Sequence, residues 1–277
     1  MQSAKWKWWV FPLVAGLLAA GCGKVVERLS EPRLSIFAAA SLRESLTEMA
    51  RKFEQSRQQP LPIEFQFLGS QQLATQLGQG APADLFFSAN HSQMQRVIEA
   101  GRVAPGQVRK VACNRLIILS RAGLHLEELR DLAHPKRTLV LASPNVPAGR
   151  YARQLLTNAS TLDRLGKDFR HRVEAQVVSF EPNVRAATAR VRLGEADATL
   201  AYATDGKALS NEAVEITNIP EAWQPKIIFY AAPLKDGRHP ELARAFLDFC
   251  GSPEGRAIWI AAGFRSTESC DGPLPPD

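Results

Sequence analysis

Apolar and polar positions along this chain follow two periods in turn. Residues 34–39 form a compact apolar run of strand character. Leu42, Leu46, Met49, Ala50 and Phe53 then recur at the spacing of one helix face. Ile63, Phe65 and Phe67 alternate as in a half-buried strand, and Gly69-Ser70 turns the chain into a short helix carrying Leu73 and Leu77. Residues 84–88 predict a strand and 91–100 a helix. Further strands are predicted at 116–119, 139–142, 177–180, 198–202 and 227–231. Pro147 suits the first turn of a helix lying between residues 146 and 158. Another helix runs from Pro182-Asn183 to Leu193, and two more close the chain at 240–249 and 253–262. Strands alternating with helices predict α/β layers around parallel sheets. No fixed-period repeat or heptad run appears, which argues against solenoids and coiled coils.

No long linker divides the chain, so two lobes would be joined by extended crossovers, near residues 111–115 and 225–228. The expected division is 33–112 plus 228–277 for the first lobe and 113–227 for the second. Before them, residues 1–21 read as a signal peptide. Lys5 and Lys7 form a basic start, and residues 8–21 are uncharged, largely apolar and too short for a comfortable membrane span. The run ends in Leu17-Leu18-Ala19-Ala20-Gly21-Cys22, which resembles a bacterial lipobox. In that reading Cys22 carries the lipid and residues 22–32 are its tether; an ordinary signal peptide with an incidental cysteine is the alternative.

Composition narrows the picture further. The chain has 277 residues, 45% hydrophobic and 22% charged, which is ordinary for a globular protein. The formal charge of +6 is spread among acids rather than gathered in a stripe, which argues against nucleic acid as a partner. The five histidines (His91, His125, His134, His171 and His239) are dispersed, and no nucleophile elbow, phosphate loop or dinucleotide fingerprint is present. Nothing points to a bare metal ion, a cofactor or an enzyme. Beyond Cys22, Cys113, Cys250 and Cys270 fit no zinc spacing. Cys250 and Cys270 could pair, or all could stay buried thiols; an odd thiol is left either way.

What recurs is a strand ending in a helix start rich in hydroxyls or small residues. Ser41, Ser70, the turn Pro147-Ala148-Gly149 and Asn183-Val184 are four such starts. Ser41-Leu42-Arg43-Glu44 fits a capping box. A helix start offers free N–H groups and a partial positive charge, so several converging starts would hold an anion. Each alone is ordinary capping, and spacing cannot show convergence.

Ordered segments of the chain resemble the periplasmic molybdate-binding proteins of ABC transporters. They are Phe37-Ala38-Ala39-Ala40-Ser41-Leu42, Gly80-Ala81-Pro82-Ala83-Asp84-Leu85-Phe86-Phe87-Ser88-Ala89 and Val146-Pro147-Ala148-Gly149-Arg150-Tyr151-Ala152. Asn183-Val184-Arg185, Gly194-Glu195-Ala196-Asp197, Ala201-Tyr202-Ala203-Thr204-Asp205 and Ala262-Gly263-Phe264 continue the series. The resemblance implies a type II periplasmic-binding-protein fold, with two α/β lobes and a ligand cleft between them. It implies molybdate or tungstate as ligand, held by Ser41, Ser70, Ala148, Val184 and Tyr202 through hydroxyl and backbone N–H donors. It further implies a receptor on the periplasmic face serving an ABC permease and its ATPase, expected to be a monomer; the lipid anchor at Cys22 is the expectation from the lipobox. Two departures stand out: Gln71-Gln72 replaces smaller residues after Ser70, and the basic stretch 167–172 reads as a surface insertion. A receptor for another oxyanion such as sulfate, and an exported enzyme on the same fold, are the alternatives.

Overall fold

The computed structural model describes residues 33–57, 62–162, 165–211 and 213–270. The signal-peptide reading of residues 1–21, Cys22 as a lipidation site and the tether to residue 32 lie outside the described residues. In chain order the elements are β1 (Leu34–Ala39), α1 (Arg43–Gln55), β2 (Ile63–Leu68), α2 (Ser70–Gly78), β3 (Leu85–Ser88), α3 (His91–Glu99) and β4 (Arg109–Asn114). There follow β5 (Leu116–Arg121), β6 (Leu139–Ala142), α4 (Pro147–Leu162), α5 (Phe169–Glu174), β7 (Val177–Glu181), α6 (Val184–Arg192), β8 (Ala198–Tyr202), α7 (Ala203–Ala208) and β9 (Val214–Asn218). The chain closes with β10 (Ile227–Pro233), α8 (Pro240–Gly251) and α9 (Pro253–Ala261).

The strands form two five-stranded sheets, ordered β2-β1-β3-β10-β4 and β7-β6-β8-β5-β9. Each sheet is the centre of one lobe. The apolar runs become central strands: β10 is buried at every position and β1 at all but one, as expected of strands covered on both faces. The alternating stretch around Phe65 becomes the edge strand β2, half-buried along most of its length. The stripe Leu42, Leu46, Met49, Ala50 and Phe53 is buried throughout.

The sheets are mixed rather than parallel. β1 pairs in parallel with β2 and β3, but β10 returns antiparallel to both β3 and β4. In the second sheet β6 is parallel to β7 and β8, whereas β5 runs antiparallel to β8 and β9. A strand that has just crossed from the other lobe enters from the cleft end, and this reverses its direction. The crossovers are short: Arg115 on the way out and residues 219–226 on the way back. Cys113 and Asn114 therefore end a strand of the first sheet, and Ile227 begins one.

Three local expectations change. α1 starts at Arg43 after a single 3-10 turn over Ala40–Leu42, and no side chain caps it, so Ser41 is not its cap. The basic stretch 167–172 is at the surface through Lys167, His171 and Arg172, but it runs into α5, which packs on the lobe through the fully buried Phe169 and Val173. Cys113 pairs with Cys270, 157 residues away, while Cys250 is a free buried thiol that burial pushes well above its ordinary pKa. The partner of Cys270 is a β4 residue brought beside it by an antiparallel bridge between Cys113 and Arg265. Among the described residues no helix is long and apolar enough to cross a membrane.

Candidate functional site

In each sheet the order reverses beside a central strand: β1 lies between β2 and β3, and β6 lies between β7 and β8. Ligands of open α/β sheets bind outside the carboxyl ends of strands at such switch points. The chain puts its hydroxyl-rich and small-residue turns at those ends. Ser41 follows β1, Ser70 follows β2, Ala148 follows β6, Val184 follows β7, and Tyr202 ends β8.

All five line one cavity between the lobes, with Ala40, Gly69 and Ala89 from the first lobe and Pro147 and Asn183 from the second. Its empty volume, open side included, is about 230 Å³. Ser41 (4% exposed), Ser70 (1%) and Tyr202 (1%) are all buried.

The hydroxyls and helix-start N–H groups of this space can donate to a ligand. Ser70 Oγ accepts the Ala89 N–H at 3.0 Å, which leaves its own proton to donate. Ser70 and Val184 are the first residues of α2 and α6, and Ala148 is the second of α4, positions whose N–H groups have no partner within the helix. Asn183 Oδ1 caps α6 by accepting the Ala186 N–H at 2.9 Å, so the cap is satisfied one turn further on and the Val184 N–H stays available. The Tyr202 hydroxyl is buried with no hydrogen-bond partner. Burial, with Tyr151 and Asp205 adding to it, holds that phenol well above its ordinary pKa, so it remains an O–H donor.

Among the described residues no acidic or basic side chain lines the cavity. Asp84 is buried but occupied: it accepts Ser35 N–H at 2.8 Å and His239 N–H at 2.9 Å, tying β3 to β1 and to the segment before α8. Asp205 lies behind the site. It accepts the Tyr202 N–H at 3.2 Å, and Arg185 Nε sits 2.8 Å from its other oxygen, as an ion pair outside hydrogen-bond geometry. Among the described residues no cluster of three or more His, Cys, Asp or Glu could hold a metal ion.

Burial pushes the Asp205 carboxyl up from 3.8 to about 6, with Arg185 limiting the rise and Glu44 adding to it. The native state therefore holds this proton more tightly than the unfolded chain does. Linkage makes the residue's own contribution to stability fall as pH rises from about 4 through about 6. Relative to Asp205→Asn, the wild type should gain about 1 kcal/mol of unfolding free energy between pH 7 and pH 5. Denaturant titration of both proteins at the two pH values measures this; a constant difference would return Asp205 to an ordinary pKa.

Four contacts between the lobes surround the site, and none was legible in the sequence. Gln71 Nε2 donates to Pro182 O at 2.8 Å, Arg150 Nη1 donates to Ser92 Oγ at 2.7 Å, and Arg185 pairs with Glu44. The Tyr202 ring packs edge-on against Phe229 of β10, 5.5 Å between centroids. Gln72, the other departure noted in the sequence, closes back on its own helix, accepting the Gly69 N–H at 3.2 Å.

Residues 34–265 match the family model described as bacterial extracellular solute-binding protein. The chain is 33% identical over 259 residues to Molybdate-binding protein ModA of Mycobacterium bovis, covering 91% of this chain and 94% of that protein. It is 27% identical over 268 residues to the putative ABC transporter substrate-binding lipoprotein YvgL of Bacillus subtilis, covering 95% and 98%. In fold it resembles the periplasmic molybdate-binding protein of Azotobacter vinelandii, with a TM-score of 0.72, 22% identity, and 84% and 99% of the two chains covered.

Proposed function

This chain belongs to the bacterial extracellular solute-binding proteins, and from that premise we propose that it captures molybdate between its two lobes for an ABC transporter. The family is one of transport receptors, not enzymes, and its members work with a permease and an ATPase. The observation that carries the ligand assignment is a cavity lined by hydroxyls and helix-start N–H groups with no carboxylate among the described lining residues, into which a buried, unpartnered Tyr202 hydroxyl is set. Ser41, Ser70, Ala148, Val184 and Tyr202 are the assigned ligand contacts. Their hydroxyls and helix-start N–H groups suit a small, fully deprotonated tetrahedral dianion.

The donor set also predicts selectivity. Hydrogen phosphate carries a proton that needs an acceptor, and burying it unpaired costs roughly 1–3 kcal/mol, a factor of about 5 to 150. Tungstate is nearly the size of molybdate and binds as well. Sulfate has the same charge and shape but is smaller, so its rejection depends on whether it reaches the donors of both lobes at once. Such a division makes binding shift an open–closed equilibrium. We further assign Cys22 as the lipid attachment site, holding a monomeric receptor at the periplasmic face; the lipoprotein YvgL supports that reading.

Calorimetry on protein lacking residues 1–22, stripped of carried ligand, tests the assignment against molybdate, tungstate, sulfate and phosphate in one buffer. Tight one-to-one binding of the first two, with phosphate weaker by at least the factor above, is the expected result. Phosphate binding equal to molybdate would overturn the donor argument, and no binding of any of the four would overturn the receptor reading.

A further inference from the structure

Three interlobe bonds near the site are each made by a residue one or two positions beyond a ligand donor. Gln71 follows Ser70 and reaches Pro182, immediately before the α6 cap. Arg150 lies two residues after Ala148 and reaches Ser92 on α3. Arg185 follows Val184 and pairs with Glu44, three residues after Ser41. The donors and the bonds across the cleft therefore stand on the same rigid helix starts. Bringing the donors of both lobes onto one anion and making these three bonds are a single movement.

None of the three reaching residues lines the ligand cavity. Gln71 and Arg150 instead border a separate open groove walled by both lobes. Gly69 keeps room for the Gln71 bond: a Cβ there would lie 2.5 Å from Gln71 Oε1 and 2.7 Å from the Pro182 carbonyl. Gln71 is also one of the two residues where this sequence departs from the pattern it resembles.

We propose that Gln71, Arg150 and the Arg185–Glu44 pair are closure residues, which set how long the anion stays without touching it. The proposal rests on the oxyanion-receptor reading. A bond present only in the closed form stabilises that form and leaves encounter with the open form unchanged, so its effect falls on release. A solvent-exposed hydrogen bond or ion pair of this kind is then worth about a 3- to 10-fold change in release rate. Arg185 itself is a poor probe, because its removal strands the buried Asp205 carboxylate. Glu44→Gln tests that contact while the Arg185–Asp205 pair remains.

The experiment is stopped-flow tryptophan fluorescence with molybdate on the wild type, Gln71→Ala, Arg150→Ala, Arg150→Lys and Glu44→Gln. Release should speed up about 3- to 10-fold in the two alanine variants and in Glu44→Gln, with association within about 2-fold of the wild type. Arg150→Lys, which keeps a donor of similar reach toward Ser92, should recover most of the residence time. Melting temperatures without ligand should match the wild type. Unchanged release in all variants of a wild type that binds molybdate overturns the closure role, as does a loss confined to association. A wild type that binds none of the four oxyanions overturns the receptor reading instead, and the closure role with it.

Discussion

Tyr202→Phe should bind molybdate about 10- to 150-fold more weakly than the wild type, yet melt no lower when ligand is absent. The Tyr202 hydroxyl makes no hydrogen bond within the protein. Deleting it therefore breaks none, and the stability of the protein without ligand should not fall. With an oxyanion bound, the same hydroxyl makes a hydrogen bond to a charged acceptor, worth about 1.5–3 kcal/mol, and phenylalanine loses it. The ring is unchanged, so its edge-on packing against Phe229 persists and shape is held constant. Calorimetry for affinity and thermal unfolding for stability read the two arms separately. A variant that melts lower while binding normally would make the hydroxyl structural, and Tyr202 would leave the ligand set.

Gly149→Ala should be the most damaging single methyl group in the second lobe. A Cβ at Gly149 would sit 2.1 Å from the Ser143 carbonyl oxygen and 2.3 Å from that of Ala142. Both are backbone atoms at the end of β6, so no side chain can swing aside. The start of α4 must retreat from the sheet, taking with it the Ala148 N–H and the Arg150 arm. Forcing atoms into a packed interior costs about 1–3 kcal/mol, and more where only backbone can yield. A loss of at least 100-fold in molybdate affinity is expected, because ligand donors must be placed to a fraction of an ångström. Gly78→Ala is the matched control. It lies at the end of α2 with its nearest neighbour 3.9 Å from the new methyl, and should leave binding intact while stability stays level or rises slightly. Normal affinity in Gly149→Ala would mean that the approach of α4 to β6 does not position the site.

Much of the architecture follows from local pattern. A strand buried on both faces needs a continuous apolar run, as in β1 and β10, and a helix lying on a sheet needs one apolar stripe, as in α1. These demands act within a few residues, so the chain displays them directly. The turns that carry Ser41, Ser70, Ala148 and Val184 were visible for the same reason: each is a strand end meeting a helix start. Local rules also misled where tertiary contacts outweighed them. Ser41 reads as a cap, but a 3-10 turn buries it at the cavity and α1 begins uncapped at Arg43. β4 and β9 carry no apolar run strong enough to announce them, since each borders its sheet.

What the amino-acid order determined by itself is the succession of elements and the chemistry at their junctions: donors and small residues, with no charged side chain among them. What only the tertiary structure decided is which junctions meet. The pairing of Cys113 with Cys270, the reversal of β10 and the burial of Asp205 against Arg185 all join residues far apart in sequence. So do the bonds from Gln71 to Pro182 and from Arg150 to Ser92. Helical and strand periods arise from backbone geometry repeated every few residues, and so leave a trace in the sequence. Contacts across the cleft depend on how two separately folded sheets are brought together, and no local period records that.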